Sequence, residues 1–354
     1  MKPLKRVLLA AVATCAMIGL PPDLMCTPFS YSGYRIDDLF TKADLVVIGS
    51  AEKTRVLREW TIRGAVGMQS VSTLVRVERV YKGTCDGYVQ VQFEVQSPVS
   101  TGNPGPSLYK GEHSLLFLKS SEDGHYRFAD ASWGKLDAQG ILAGPSSSGV
   151  AGLESDLNQS LGIGSPGQTS ALKILEAFSH ISSTTESTLN ELASQTDPDV
   201  AARAYSILIA TGKPKYIDNV LPFLRSHGNG LGGDELWILG GRIHEFGLKA
   251  DPQTIAAISN VPIFSIQYVA LDVLGQIKSP TTAEAVLHHL DDSNPALQFK
   301  SLSVFKRIVD DGGEIGGPEY RPSKTDFDKD PSYYTGLWKT WWRAEGEAKF
   351  THDR

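Results

Sequence analysis

Ile266-Gln267-Tyr268-Val269-Ala270-Leu271-Asp272-Val273-Leu274 aligns with Leu297-Gln298-Phe299-Lys300-Ser301-Leu302-Ser303-Val304-Phe305, 31 positions further on. In the first string the apolar residues fall at i, i+3, i+4, i+7 and i+8, the period of an amphipathic helix. Val200-Ala201-Ala202-Arg203-Ala204-Tyr205-Ser206-Ile207-Leu208 aligns with it 66 positions upstream, two units of 33. Pro214, Pro252 and Pro280 each precede a further apolar-periodic stretch, and proline suits a first helical turn, where its missing amide has no intrahelical partner. A unit of two helices in 31 to 33 residues cannot bury its apolar face alone and must stack on its neighbours, which predicts an α-solenoid. The small residues Ala204, Ala270 and Ser301 let adjacent helices approach, and Leu231 to Gly247 reads as the least regular unit.

Upstream the period changes from 3.6 to two. Val89, Val91, Phe93 and Val95 alternate with Tyr88, Gln90, Gln92 and Glu94, the signature of a half-buried strand. Val71 to Tyr81 alternates again, Leu45 to Ile48 and Leu115 to Leu118 are short buried apolar runs, and Asp86-Gly87 and Lys110-Gly111-Glu112 supply turns. Short strands so spaced predict a small barrel or sandwich. The chain is therefore expected to be α+β with two domains: a β-barrel over residues 26–136 and a helical repeat domain over 169–354. The Gly/Ser/Pro-rich stretch 137–168 between them reads as a linker, so the two halves are expected to fold independently.

Both halves resemble known families. Ala43-Asp44-Leu45-Val46-Val47-Ile48-Gly49, Val75-Arg76-Val77-Glu78-Arg79-Val80-Tyr81-Lys82-Gly83, and Gly111-Glu112 leading to Leu115-Leu116-Phe117-Leu118 resemble the netrin-like barrel shared with tissue inhibitors of metalloproteinases. That resemblance implies an OB-type barrel with a cysteine near the mature N-terminus tied to its body, which matches Cys26 and Cys85. Those inhibitors chelate a protease zinc through a Cys-x-Cys start; here Cys26-Thr27-Pro28 lacks the second cysteine. Thr169 to Ile308, best at Asp197-Pro198-Asp199-Val200 through Leu208, resembles HEAT-like repeats of the short bacterial type. Such arrays imply a concave face that binds protein or peptide, although the repeat itself specifies no ligand.

Lys2, Lys5 and Arg6 precede an apolar run from Val7 to Leu20 that stops at Pro21-Pro22, the layout of a secretory signal over residues 1–25. The run is too short for the roughly 20 residues a membrane-spanning helix needs, so no permanent membrane span is expected and the protein is placed outside the cytoplasm, in the periplasm or secreted. Cys15 falls inside that segment. Cys26 and Cys85 remain, and an even pair in an oxidising compartment reads as one disulfide. A formal net charge of −6, with basic residues scattered among more numerous acids, argues against nucleic acid, whose binding needs clustered Lys and Arg.

The remaining motifs carry little chemistry. Gly144-Pro145-Ser146-Ser147-Ser148-Gly149 has the glycine spacing of a phosphate loop, but Val150 and Ala151 stand where its Lys and hydroxyl belong. Gly162, Gly164 and Gly167 formally match a dinucleotide fingerprint, yet no strand precedes them and Pro166 removes an amide. Asp326, Asp328 and Asp330 alternate like a calcium loop, with Pro331 where Gly is needed and Leu337 where a bidentate Glu belongs. His288-His289 is an adjacent pair whose members face different ways on a helix. Trp338, Trp341 and Trp342 lie on one side of a helix at i, i+3 and i+4, fit either to close the last repeat or to bind a sugar or peptide. No metal, no cofactor and no catalytic residue is expected. The function read from these residues is a non-enzymatic, exported binding or scaffold protein that engages a polypeptide or envelope component through its repeats. The alternatives are a protease inhibitor acting through Cys26, or an enzyme of unrecognised type with its site near Asp326.

Overall fold

The structure, a computed structural model, describes residues 34–348 apart from 63–65, 97–106, 131, 143, 145–147, 163, 196 and 310–319. The expected signal segment and Cys26 lie outside the described residues. So does one half of the expected disulfide; among the described residues Cys85 has no disulfide partner.

A short helix, α1 (Ile36–Lys42), leads into strands β1 (Leu45–Ile62), β2 (Val66–Lys82), β3 (Tyr88–Gln96), β4 (His113–Ser120), β5 (Tyr126–Phe128) and β6 (Lys135–Asp137). The order β1-β2-β3-β5-β4 closes on itself through β1–β4 pairing from Leu45↔Leu118 to Ser50↔His113, making a five-stranded barrel with β6 added beside β5 on the far edge of β4. All pairings are antiparallel except β3–β5, joined at Val91↔Tyr126. Beyond Ala51, β1 and β2 continue as a long arm along which β3 also pairs with β2, from Val75↔Val89 to Met68↔Gln96, and β1 carries an extra residue, Leu57, between the pairs Val56↔Val71 and Arg58↔Ser70. A bulge of this kind shifts the inside-outside alternation by one residue.

The apolar runs in β1 and β4 are continuous because both of their faces are covered. Leu45, Val47, Leu116 and Leu118 fill the barrel interior with Val75, Val89 and Val91. Val46, Ile48, Leu115 and Phe117 point the other way, into a second core that holds Ile36, Leu39 and Phe40 of α1 and runs on through the helices.

That second core overturns the linker. Residues 137–168 contain the end of β6, helix α2 (Gly149–Ser160) and the first residue of α3 (Gln168–Leu175). Leu153 and Leu157 of α2 pack into the core that the outer face of β4 also enters. Asp156, buried on the same helix, accepts a hydrogen bond from the Tyr81 hydroxyl at 2.7 Å and from the Gly144 amide at 3.0 Å, with Arg79 Nε 3.3 Å away. Burial, and then the hydrogen bond to Asp156, push the Tyr81 hydroxyl far above the usual tyrosine range. The chain thus has the expected α+β layout of a barrel followed by helices, and the two share a core and a buried ionic contact.

The helices continue as α4 (Ser183–Leu192), α5 (Pro198–Ala210), α6 (Lys215–His227), α7 (Gly233–Phe246), α8 (Pro252–Ser259), α9 (Phe264–Leu274), α10 (Pro280–His288), α11 (Pro295–Val309), the single turn α12 (Lys324–Phe327) and α13 (Pro331–Trp341). They alternate between two rows. In the first row α3, α5, α7, α9, α11 and α13 each pack on the next; the second row holds α2, α4, α6, α8 and α10. Within the second row, α4 and α6 are tied by Asn190 to the Tyr216 hydroxyl at 3.2 Å. Sequence signals set the helix starts: Asp197, Asp251, Ser279 and Asp330 cap the first turns of α5, α8, α10 and α13, each followed by proline. Ala204, Ala270 and Ser301 are fully buried. The unit that read as least regular is regular after all. Gly233, Phe264 and Pro295 open α7, α9 and α11 at equal steps of 31 residues.

Each end of the stack is closed. The barrel covers α2 and α3 at one end. At the other, α13 and the π-turn Trp342–Gly346 seat Trp338 and Trp342 edge-on against Phe305, with ring centroids 5.7 and 5.4 Å away. Gly346 is required there, since an added Cβ would sit 2.6 Å from the Trp341 ring.

Candidate functional site

The first row carries the polar and aromatic groups that converge. Arg203 of α5 donates to Glu176, just past the end of α3, and to Glu235 of α7, both at 2.8 Å, so one guanidinium bridges three consecutive helices. Burial works against the Arg203 charge, but Glu176 and Glu235 together hold its pKa above the ordinary value. Arg242 of α7 donates to the Glu176 carbonyl at 2.8 Å and to Glu245 at 2.9 Å. Beside it a cleft is lined by Tyr34, Arg35, Phe178, Arg242, Glu245 and Phe246. The Ile36 amide donates to the Ala177 carbonyl at 2.9 Å and pins the chain entering the barrel against this end of the array.

Further along the row aromatic groups gather among charges of both signs, with Asp234 and Glu235 beside Trp237 on α7. Trp237 of α7 and Phe264 of α9 are 50% and 48% exposed. Phe264 contacts Tyr268 at 5.9 Å between ring centroids. Lys300 of α11 stands 4.4 Å over the Tyr268 ring and pairs with Asp272 at 2.5 Å, and Arg307 approaches the same carboxylate at 3.8 Å. Phe299 lies 5.3 Å from Phe327, with Lys324 over its ring at 5.5 Å. These contacts seat Lys300 and Lys324 over the Tyr268 and Phe299 rings, which are themselves packed against the core.

The residues singled out from sequence fall elsewhere. Trp338 and Trp342 are buried, and the Trp338 indole donates to the Tyr320 carbonyl at 3.0 Å; with Trp341 half-buried against Trp338 at 5.7 Å, the three form a lid and do not present the exposed binding platform allowed for them. The acidic loop is occupied by its own chain: Asp326 accepts from Ser323 at 2.7 Å and from Lys329 at 2.8 Å, Asp328 pairs with Lys324, and Asp330 caps α13 through the Tyr333 amide. His289 is buried, its Nε2 3.0 Å from the Ser259 hydroxyl, whereas His288 is exposed. Among the described residues, no group of three or more His, Cys, Asp or Glu is placed to hold a metal ion, and no helix is long and apolar enough to cross a membrane.

On the barrel, sequence reading passed over Ser50, Glu78 and His113. Ser50 donates to one Glu78 oxygen at 2.7 Å, and His113 Nε2 lies 3.0 Å from the other. Burial disfavours the Glu78 charge, yet Ser50 and His113 hold its carboxyl below the usual range. The carboxylate stands between hydroxyl and imidazole, whereas base activation of a nucleophile needs the imidazole in the middle. The grouping ties β1, β2 and β4 together.

Compared with known protein families the chain matches no family model, and no curated protein matches it.

Proposed function

We propose that this is an exported, non-enzymatic binding protein whose helical rows, built on the HEAT-like pattern, engage a polypeptide, with the netrin-like barrel serving as the fixed N-terminal end of the array. The observation that carries this reading is the first-row face at α7, α9 and α11. Both ends of the stack are closed by packing, yet this face keeps Trp237 and Phe264 half exposed on helices that are themselves rigidly stacked. Large aromatic side chains held at the surface of a rigid scaffold mark interaction sites. Export rests on the charged-then-apolar start of the chain.

The test is to pan a displayed library of random twelve-residue peptides against the native full-length protein and titrate the enriched sequences by calorimetry. Enriched peptides that bind at one-to-one stoichiometry and compete with one another support the reading. No enrichment over an uncoated surface overturns it. The export part is checked separately by the N-terminal sequence of protein recovered from outside the cytoplasm; recovery of chains that retain residues 1–20 in the cytoplasm contradicts it.

A further inference from the structure

The long arm of the barrel carries three cations in one row. Across the β1–β2 pairing Lys53 faces Leu74, Arg55 faces Ser72 and Arg58 faces Ser70, and Trp60 follows opposite Met68. Strict alternation would put Arg58 on the other face; the extra residue at Leu57 brings it back beside Arg55. Successive members of the row stand about 7 Å apart, and the Arg58 guanidinium lies 5.8 Å from the Trp60 ring. The acids of β1, β2 and β3 do not cancel the row. Glu52 pairs with Arg76 at 3.4 Å, Glu78 is shared between Arg76 and His113, Glu59 lies on the opposite face and accepts from Gln69 at 2.7 Å, and Glu94 is on β3, with β2 between. The other cations of these strands are engaged elsewhere, Arg79 with Asp156 and Lys82 with the Phe40 carbonyl. Every residue from Glu52 to Glu59 is exposed, including Val56 at 49% and Leu57 at 43%. Val56 belongs to the face opposite the cations, since its partner Val71 lines the barrel core, whereas the exposed Leu74 lies among them beside Lys53. The edge therefore shows apolar side chains on both sides of the sheet.

A ridge of this shape, apolar on both sides and basic along one, is met completely only by a medium that closes around it. A folded partner or a nucleic acid strand covers one face, and a nucleic acid backbone offers nothing to Val56, Leu57 and Leu74. We therefore infer that the β1 edge of the arm is an interfacial anchor for a bilayer bearing anionic phospholipids. Val56, Leu57 and Leu74 enter the boundary between headgroups and acyl chains, and Trp60 sits at headgroup level, where an amphipathic ring is at home. Lys53, Arg55 and Arg58 keep their charges among the phosphates while their methylene stems lie along the apolar strip. The contact is peripheral and leaves the helical face free.

The test is co-sedimentation of the full chain with vesicles of phosphatidylcholine alone, or with phosphatidylglycerol as a third of the lipid. Binding to the mixed vesicles is expected to be at least about tenfold tighter and to weaken as salt is raised. A basic residue at an anionic surface contributes about fivefold, so Arg55→Gln and Arg58→Gln should each weaken binding about fivefold and the double variant about 25-fold. Val56→Ser with Leu57→Ser should also cost at least about fivefold, whereas Leu248→Ser, at an equally exposed apolar residue of the helical array, should leave binding within about twofold. Quenching of tryptophan fluorescence by brominated lipid should fall in Trp60→Phe. The substituted side chains are exposed or half-buried, so the variants should melt like the parent chain, which circular dichroism checks. Any contribution of the apolar run Val7 to Leu20 is common to parent and variants. Unchanged binding of the double arginine variant to mixed vesicles overturns the inference. So does binding of a fluorescein-labelled thymidine oligonucleotide in place of the vesicles, which makes the row a nucleic-acid site. A change from dimer to monomer in the double serine variant, read by light scattering, assigns the edge to a second copy of the chain and overturns it equally.

Discussion

The lid on the helical stack gives a prediction whose size follows from the packing. Trp338 is fully buried, contacts the rings of Phe305, Tyr320 and Trp341, and donates its indole hydrogen to the Tyr320 carbonyl. An indole of this kind removes roughly 200 Å² from water, which at about 25 cal/mol per Å² amounts to about 5 kcal/mol. The denatured chain already hides part of that surface, so the figure is an upper one. Large-to-alanine changes in cores cost about 3–5 kcal/mol, and Trp338→Ala is expected to cost about 4 kcal/mol. Urea unfolding followed by far-UV circular dichroism measures it, as a fall in midpoint at unchanged slope. Trp341→Ala, at a half-buried ring, should cost about 1–2 kcal/mol in the same assay. A loss below about 1 kcal/mol for Trp338→Ala would show that the stack closes at α11 and that the tryptophan helix merely rests on it.

Two further outcomes follow from buried charge. Asp156→Ala leaves Arg79 and the Tyr81 hydroxyl without their shared acceptor at the barrel–helix junction; removing one partner of a buried pair costs about 3–5 kcal/mol, and differential scanning calorimetry should show a lowered melting temperature, an unchanged one counting against the shared core. His289 is pushed below the ordinary histidine pKa, chiefly by burial and only partly offset by Asp292. Below about pH 6.5 the unfolded chain therefore takes up a proton that the folded chain refuses. Stability should fall as pH drops from 6.5 towards the folded pKa, by at most about 1.4 kcal/mol per pH unit for this one group. His289→Asn should lose less stability than the parent between pH 7.5 and 5.5 in urea titrations, and equal losses would refute the assignment.

The parts of the fold that were legible in sequence are those where local pattern and tertiary environment coincide. Leu45–Ile48 and Leu115–Leu118 read as buried runs because two cores flank them, and the capped prolines marked helix starts because the missing amide is harmless there. What covers the second face of those strands was hidden. Val150, Leu153, Leu157 and Leu161 have helical spacing, but they sit among glycines and serines, and the composition suggested a linker. The far half of β1 was also missed: Glu52-Lys53-Thr54-Arg55 is polar, and the bulge at Leu57 breaks the alternation that marks a strand.

The site was less legible than the fold. The tryptophans drew notice because they are close in sequence, and that closeness serves a lid. Arg203, Glu176 and Glu235 come from three different helices and share no local pattern. Tyr268 and Phe299 already occupied equal places in the aligned strings. Trp237 did not join them until the helix starts were known, because Gly240-Gly241 interrupts the apolar pattern of its unit.

The reading that the helical face, and not the barrel, holds the ligand is tested most directly by hydrogen–deuterium exchange of the full-length protein, with and without a saturating library-selected peptide. Slowed exchange in the N-terminal turns of α7, α9 and α11, with the barrel strands unchanged, is the expected result. Protection confined to the β1–β2 arm or to the outer barrel strands, with α7, α9 and α11 unaffected, would contradict it.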